Sequence, residues 1–157
     1  MEHIITVLVE NKFGVLAQIA GMFSGRGFNI DSLAVGETQD PTVSRMTIVV
    51  HGDDKVVAQI LKQLNKLVYV IKAEDLTAIK FVERELMLIK VETTAKNRRE
   101  VLEIADIFRS KIVDAQHGSL TIEASGNGDK LAALVDLLRV YGIKELVRTG
   151  RIGLARG

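Results

Sequence analysis

Ile4-Ile-Thr-Val-Leu-Val-Glu-Asn-Lys-Phe-Gly-Val-Leu16 opens the chain with a strand, a polar turn and the start of a helix. The run from Ile4 to Val9 is short and rich in β-branched residues, which favours a strand. Gly25 and Gly27 end the helix, because glycine readily adopts the left-handed conformation found at helix C-termini. The stretch therefore predicts the first strand–helix unit of an α+β fold. The apolar residues with the i, i+4, i+7, i+8 spacing of an amphipathic helix are Val15, Leu16, Ile19, Ala20, Met22 and Phe23.

Four more predicted elements follow the glycine corner. Residues 28–35 and 45–50 are predicted strands, separated by a turn at Gln39-Asp-Pro41. Asp53 is placed to cap a helix, and residues 67–73 supply a fourth strand. The resulting order, βαββαβ, is the ferredoxin-like pattern.

The second half repeats this order of elements with different residues. Strands are predicted at 86–91, 112–115, 119–124 and 143–149. Asn97 with Glu100 three residues later resembles a capping box at the start of one helix. Gly126-Asn-Gly-Asp129 starts the other helix, and Gly142 ends it.

The predicted fold class is therefore α+β, with two ferredoxin-like βαββαβ domains in tandem. Residues 1–76 form the first domain and residues 83–157 the second. Domains of about 75 residues fall within the usual size range. Residues 77–82 contain few turn-forming residues, so we expect an ordered connection there and not a flexible tether.

Composition excludes several classes of function. The formal net charge of +1 argues against polyanion binding driven by bulk electrostatics. The chain has no cysteine, which excludes disulfides and thiolate metal sites. The start lacks a basic segment followed by a long apolar run, so no signal peptide is expected, and no apolar run reaches the roughly 18 residues of a membrane span. We expect a cytoplasmic protein.

The sequence offers no arrangement of catalytic or metal-binding residues. His3, His51 and His117 are isolated and are expected to be surface or capping residues. The glycine-rich stretch Ser24-Gly-Arg-Gly27 lies at a predicted helix C-terminus, where the helix dipole repels anions, so it is interpreted as a cap. No acidic residue has a neighbour suited to general acid–base work. The sequence therefore indicates a non-enzymatic protein.

The most suggestive polar residues are Asn11, Gly14 and Asn29. Asn11 and Gly14 precede a helix whose N-terminal N–H groups suit a carboxylate, and an asparagine amide suits an ammonium group. Together they predict a small pocket for a zwitterion such as an amino acid. The alternative is an ordinary strand-to-helix turn, in which asparagine and glycine are favoured anyway.

Two further features suggest partners. Ile4 and Leu8 lie on one face of the first strand while Ile5, Val7 and Val9 lie on the other, so apolar residues point both ways. A second copy of the chain would cover the extra apolar face, which predicts a homo-oligomer. The closing stretch 144–156 is either a solvated tail or a docking segment for an acidic surface, because it interleaves arginine with Ile152 and Leu154.

Several motifs together resemble the small regulatory subunit of acetolactate synthase (acetohydroxyacid synthase), an ACT-domain family. The likeness covers essentially the whole chain. The first motif alone would match many ACT domains, whereas the second and fourth in this order are more specific. The motifs are Asn11-Lys-Phe-Gly-Val-Leu16, Gly25-Arg-Gly-Phe-Asn-Ile-Asp-Ser-Leu33, Ser44-Arg-Met-Thr-Ile-Val-Val50, Arg84-Glu-Leu-Met-Leu-Ile-Lys-Val91 and the closing Gly150-Arg-Ile-Gly-Leu-Ala-Arg-Gly157.

The resemblance implies an N-terminal ACT domain, a homodimer, and valine held between the ACT domains of two subunits. Asn11 would bind the amino acid, and Gly14 and Val15 would offer backbone N–H groups to its carboxylate. Asn29 and Ile30 would approach from the neighbouring subunit. Gly14 suits this role because a side chain there would enter the pocket.

The resemblance also implies the surroundings of the ligand and the partner. The isopropyl group would rest on apolar residues such as Leu16, Ile30 or Leu33. Thiamine diphosphate, Mg²⁺ and FAD would belong to the large catalytic subunit, with none in this chain. The expected function is activation of that subunit and feedback inhibition by valine, or by leucine or isoleucine. The alternative is a free-standing amino-acid sensor that regulates another enzyme; a nucleic-acid partner is not expected.

Overall fold

The computed structural model describes all 157 residues, and the chain forms two compact units. The first unit comprises Met1–Val82 together with Arg151–Gly157, and the second comprises Glu83–Gly150. No helix is long and apolar enough to cross a membrane.

The first unit has the βαββαβ order predicted from the sequence. Its four strands form an antiparallel sheet in the order β2-β3-β1-β4, so β2 and β4 are the edge strands. A 3-10 turn at Leu76–Ala78 follows the last strand. The elements are β1 (Glu2–Glu10), α1 (Val15–Gly25), β2 (Ser32–Glu37), β3 (Val43–His51), α2 (Asp54–Leu64) and β4 (Val70–Asp75).

The second unit repeats this architecture. Its sheet order is β6-β7-β5-β8, the same arrangement of strands as in the first unit. Phe81 and Val82, the first residues of β5, are counted in the first unit. The elements are β5 (Phe81–Glu92), α3 (Arg98–Ile107), β6 (Lys111–Ala115), β7 (Ser119–Gly126), α4 (Gly128–Arg139) and β8 (Ile143–Arg148).

Each unit has its own hydrophobic core between a sheet and two helices. In the first unit, alternate residues of β1 point toward the helices and are fully buried, as a half-covered strand requires. Phe23 anchors the end of α1 and meets Phe28 edge-to-face, with ring centroids 6.3 Å apart. The largest buried side chains in the second unit are Met87, Ile89, Leu120, Ile122, Leu131, Leu134 and Leu138.

The far face of the first sheet is covered at one end by the chain itself. Ile4 packs there with Val49, Leu76 and Phe81 in a separate buried cluster. A ninth strand, β9 (Ile152–Ala155), pairs with β5 and places Gly153 over this cluster. Burial of Ile4, which had suggested a second copy, is therefore achieved within one chain.

Three predictions about local structure need correction. The predicted second domain ran to residue 157, whereas residues 151–157 pack with the first unit because β9 covers its sheet. The second strand begins at Ser32 and not at Phe28. Phe28 still takes part in closing the end of α1, because its N–H donates to the Phe23 carbonyl. The capping box at Asn97 is absent, because Asn97 Oδ1 accepts a hydrogen bond from Thr94 N instead.

Candidate functional site

The turn between β1 and α1 holds its backbone open toward solvent. Gly14 has φ +84°, the left-handed region, and nothing lies within 4 Å of the position that a Cβ would occupy. A residue with a side chain is strained in this conformation, so glycine is required by the turn itself. The next residue, Val15, is buried and fixes the start of α1 in the core.

The N-terminus of α1 has no cap. No side chain accepts a hydrogen bond from it, and its first turn contains no acidic residue. The Val15 N–H donates to the Lys12 carbonyl over 3.3 Å, while the N–H groups of Leu16 and Ala17 have no acceptor. Helix N-termini carry a partial positive charge and unpaired donors, so this one can accept a carboxylate.

Asn11 precedes these donors in the same turn, and its amide is already oriented. Its Nδ2 donates to the Pro41 carbonyl at 3.0 Å and to Glu37 Oε1 at 3.3 Å. Both donor hydrogens are thereby engaged, which leaves Asn11 Oδ1 as an acceptor. The carboxylate of Glu37, at the end of β2, adds a negative charge next to it. The segment from Asn11 to the start of α1 thus carries, together with Glu37, acceptors that suit an ammonium group and donors that suit a carboxylate, the two kinds of group that an amino acid requires.

Glu37 was not predicted as a site residue. Ser44 of β3 pairs with Glu37 on one side and with Val9 on the other, so the end of β2 lies near the end of β1, just before Asn11. No local sequence pattern predicts this contact, because it depends on how the strands pair.

Asn29 and Ile30 lie at the other end of the same sheet. Asp31 donates its N–H to the Val49 carbonyl, whereas Asn11 donates its N–H to the Thr42 carbonyl. Val43 and Val49, which mark these two ends of β3, are six residues apart, a distance of about 20 Å at the usual rise of a strand. Within one chain, Asn11, Gly14, Val15 and Leu16 are together, and Asn29 and Ile30 are apart from them.

The environment of Asn29 is polar and structured. Asn29 Nδ2 donates to Asp31 Oδ1 at 2.8 Å, and the other Asp31 oxygen contacts His51 Nδ1 at the end of β3. The hydrogen bond from His51 holds the pKa of Asp31 below its ordinary value, with a further contribution from the Asn29 amide. Asp31 is therefore an ionised acceptor that fixes the orientation of Asn29.

The apolar residues assigned to the ligand's side chain have different exposures. Leu16 is exposed, whereas Ile30 and Leu33 are partly buried and pack against the core of the first unit. The Val15 side chain is also in that core, so only its backbone faces the turn. Of the three residues, Leu16 is thus the exposed one, and it lies in the first turn of α1.

The remaining histidines do not assemble a second site. His3 was expected to be a surface or capping residue. It is buried, and its Nδ1 lies 2.9 Å from Asp75 Oδ2 and 3.1 Å from Thr77 Oγ1. His3 lies on the core side of β1, and Asp75 is the register partner of Ile5, two residues further along that strand. No group of three or more histidine, cysteine, aspartate or glutamate side chains could hold a metal ion.

Comparisons with known proteins agree over both units. A family model described as the small subunit of acetolactate synthase matches residues 84–157, and one described as an AHAS small subunit-like ACT domain matches residues 5–72. A probable acetolactate synthase small subunit from Archaeoglobus fulgidus is 55% identical over 157 residues, covering 100% of this chain and 98% of that protein.

Two further relatives extend the comparison. The acetolactate synthase small subunit of Aquifex aeolicus is 51% identical over 156 residues, which cover 99% of this chain and 81% of that one. The crystal structure of the acetolactate synthase small subunit from Thermotoga maritima has a TM-score of 0.89 and 41% identity, covering 100% of this chain and 98% of that one.

Proposed function

Because this chain belongs to the family of acetolactate synthase small subunits, we propose that it is the regulatory partner of the large catalytic subunit and carries no active site itself. It activates that subunit and confers feedback inhibition by valine bound at its ACT domain. Thiamine diphosphate, Mg²⁺ and FAD are then bound by the large subunit.

The uncapped N-terminus of α1 beside Asn11 carries this proposal. The turn has a left-handed Gly14, φ +84°, and leaves the N–H groups of Leu16 and Ala17 without an acceptor in the chain. A helix N-terminus of this kind is a ready site for an anion, so a ligand carboxylate is a natural acceptor for these donors. Asn11 Oδ1 and the Glu37 carboxylate would receive the ammonium group.

A homodimer would complete this site. The edge strand β2 has one unpaired side, and Val35, Gly36 and Glu37 are exposed on it. Antiparallel pairing of two β2 strands about a two-fold axis matches the start of one with the end of the other. Asn29 of the second copy would then come next to residues 39–41 of the first, where Asn11 makes its contact with Pro41. Asn29 and Ile30 thus meet Asn11 across the interface.

Feedback inhibition follows from linkage between two sites. The complex has an active and an inhibited arrangement. Valine binds the regulatory dimer more tightly when the complex is in the inhibited arrangement. A ligand can shift such an equilibrium only by its difference in affinity for the two states. Coupling of about 1–3 kcal/mol, or roughly 5- to 150-fold, is usual for allosteric proteins.

The test is isothermal titration calorimetry of the full chain with L-valine, using Gly14→Asp and Gly14→Asn as a matched pair. Asparagine and aspartate have the same shape and both tolerate a positive φ, but only aspartate brings a negative charge to the carboxylate site. We expect saturable binding to the native chain, weaker binding to Gly14→Asn and none to Gly14→Asp. Equal affinities for the native chain and Gly14→Asp would disprove this location.

The regulatory role needs a second measurement on the reconstituted complex. Acetolactate formation by the large subunit should rise when this chain is added and fall again at saturating valine. The Gly14→Asp complex should keep the activation and lose the inhibition. Activity that valine leaves unchanged in the native complex would refute feedback inhibition.

A further inference from the structure

We propose that Asp31 and His51 are positioning residues of the effector site, and that they hold the Asn29 amide with its Oδ1 toward the ligand's ammonium group. This inference rests on the proposed amino-acid site. Neither residue would touch the ligand. They would act by orienting the side chain of Asn29, which belongs to neither a strand nor a helix.

The hydrogen bonds around Asn29 show how its amide is held. The chain runs from His51 Nδ1 to Asp31 Oδ2, and from Asp31 Oδ1 to Asn29 Nδ2, the last over 2.8 Å. A carboxylate accepts hydrogen bonds only, so it selects the NH₂ end of the amide. Asn29 Oδ1 accepts no hydrogen bond within the chain and is the end left for a ligand. Rotating the amide would bring its oxygen against a carboxylate oxygen.

The three residues connect different parts of the fold. Asn29 lies outside β2, in a segment with no regular secondary structure, and its side chain is exposed. His51 is the last residue of β3, which is paired on both sides in the sheet. Asp31 is anchored through its own N–H to the Val49 carbonyl of that strand. An exposed asparagine outside the regular secondary structure is thus tied to an interior strand of the sheet through one carboxylate.

Calorimetric titration of the full chain with L-valine tests the inference. Asp31→Ala should weaken binding roughly three- to tenfold, the loss expected for one hydrogen bond. His51→Asn places an amide nitrogen where Nδ1 stands, so it should bind valine like the native chain. His51→Phe, which has no donor, should bind more weakly.

His117→Asn is the matched control, since His117 is an exposed histidine of the second unit and its replacement should leave the affinity for valine unchanged. An unaltered affinity in Asp31→Ala, or equal affinities in His51→Asn and His51→Phe, would overturn the positioning role alone. Absence of saturable valine binding to the native chain would instead refute the amino-acid site, and the positioning role with it.

Discussion

Gly153 offers the sharpest test of how the C-terminal strand packs on the first unit. It is buried although its neighbours Ile152 and Leu154 are exposed, so it faces the far side of the sheet. The substitution Gly153→Ala would place a methyl group among atoms that have no room for it. That Cβ would lie 2.8 Å from Leu76 Cδ1, 3.4 Å from the Val82 carbonyl oxygen and 3.8 Å from Ile4 Cγ2.

The expected loss of stability follows from two opposing effects. Leu76 is fully buried, so its side chain can yield only by disturbing Ile4 and Phe81, and overpacking of this kind costs about 1–3 kcal/mol. Replacing glycine also restricts the unfolded chain, which offsets about 0.4–1 kcal/mol. The net destabilisation of the native protein by Gly153→Ala should therefore be about 1–2 kcal/mol.

A double-mutant cycle with Leu76→Ala measures the contact directly. Leu76→Ala alone leaves a cavity and should cost about 2–5 kcal/mol. In the double variant the new methyl group enters that cavity, so the combined loss should be at least 0.5 kcal/mol smaller than the sum of the single losses. Urea unfolding followed by circular dichroism gives the free energies, and hydrogen exchange of β1 and β3 amides locates the change.

The outcome that contradicts this packing is additivity. Losses that sum to within about 0.3–0.5 kcal/mol would mean that Gly153 and Leu76 do not touch. Gly118→Ala serves as the control, because nothing lies within 4 Å of its Cβ position. It should be neutral or slightly stabilising. A loss equal to that of Gly153→Ala would show that the backbone and not the contact is responsible.

Two more predictions concern single side chains of the first unit. Asp53→Ala should destabilise the protein by about 1 kcal/mol in urea unfolding, since Asp53 Oδ1 accepts the Val56 N–H at 2.9 Å as the N-cap of α2; an unchanged midpoint would exclude that capping role. His51→Phe should raise the pKa of Asp31 toward its ordinary value of 3.8, as measured by NMR titration of the carboxyl carbon. In the native chain the folded pKa of Asp31 lies below that value, so its contribution to stability is complete above pH 3.8 and is lost as the pH falls through the folded pKa. A carboxyl titration that is the same in both proteins would remove His51 as the cause.

Local patterns were sufficient for most of the fold. Helical spacing of apolar residues located α1, and the predicted cap at Asp53 is confirmed by its hydrogen bond to Val56 N. Gly25 closes α1 at its last residue, and Gly27 has a positive φ of 72° just beyond it. Each of these signals depends on residues within one turn of one another, so the sequence contains all of the information.

Local patterns failed where two interactions competed for one residue. Asn97 has the spacing of a capping box with Glu100, yet its side chain bonds to Thr94 N, which precedes the helix. Phe28 has the composition of a strand residue, yet it packs against Phe23 as the chain leaves α1. Both alternatives are equally local, and the geometry of the turn decides between them.

The sequence by itself determined the two βαββαβ units, the turn at Asn11 and Gly14, and the family to which the motifs belong. Tertiary structure alone decided that β9 returns to the first unit, that Glu37 stands beside Asn11, and that His51 contacts Asp31. The physical reason is distance along the chain. Strand pairing joins residues that are tens of positions apart, and the register of a sheet sets these contacts through backbone hydrogen bonds that no short sequence pattern encodes.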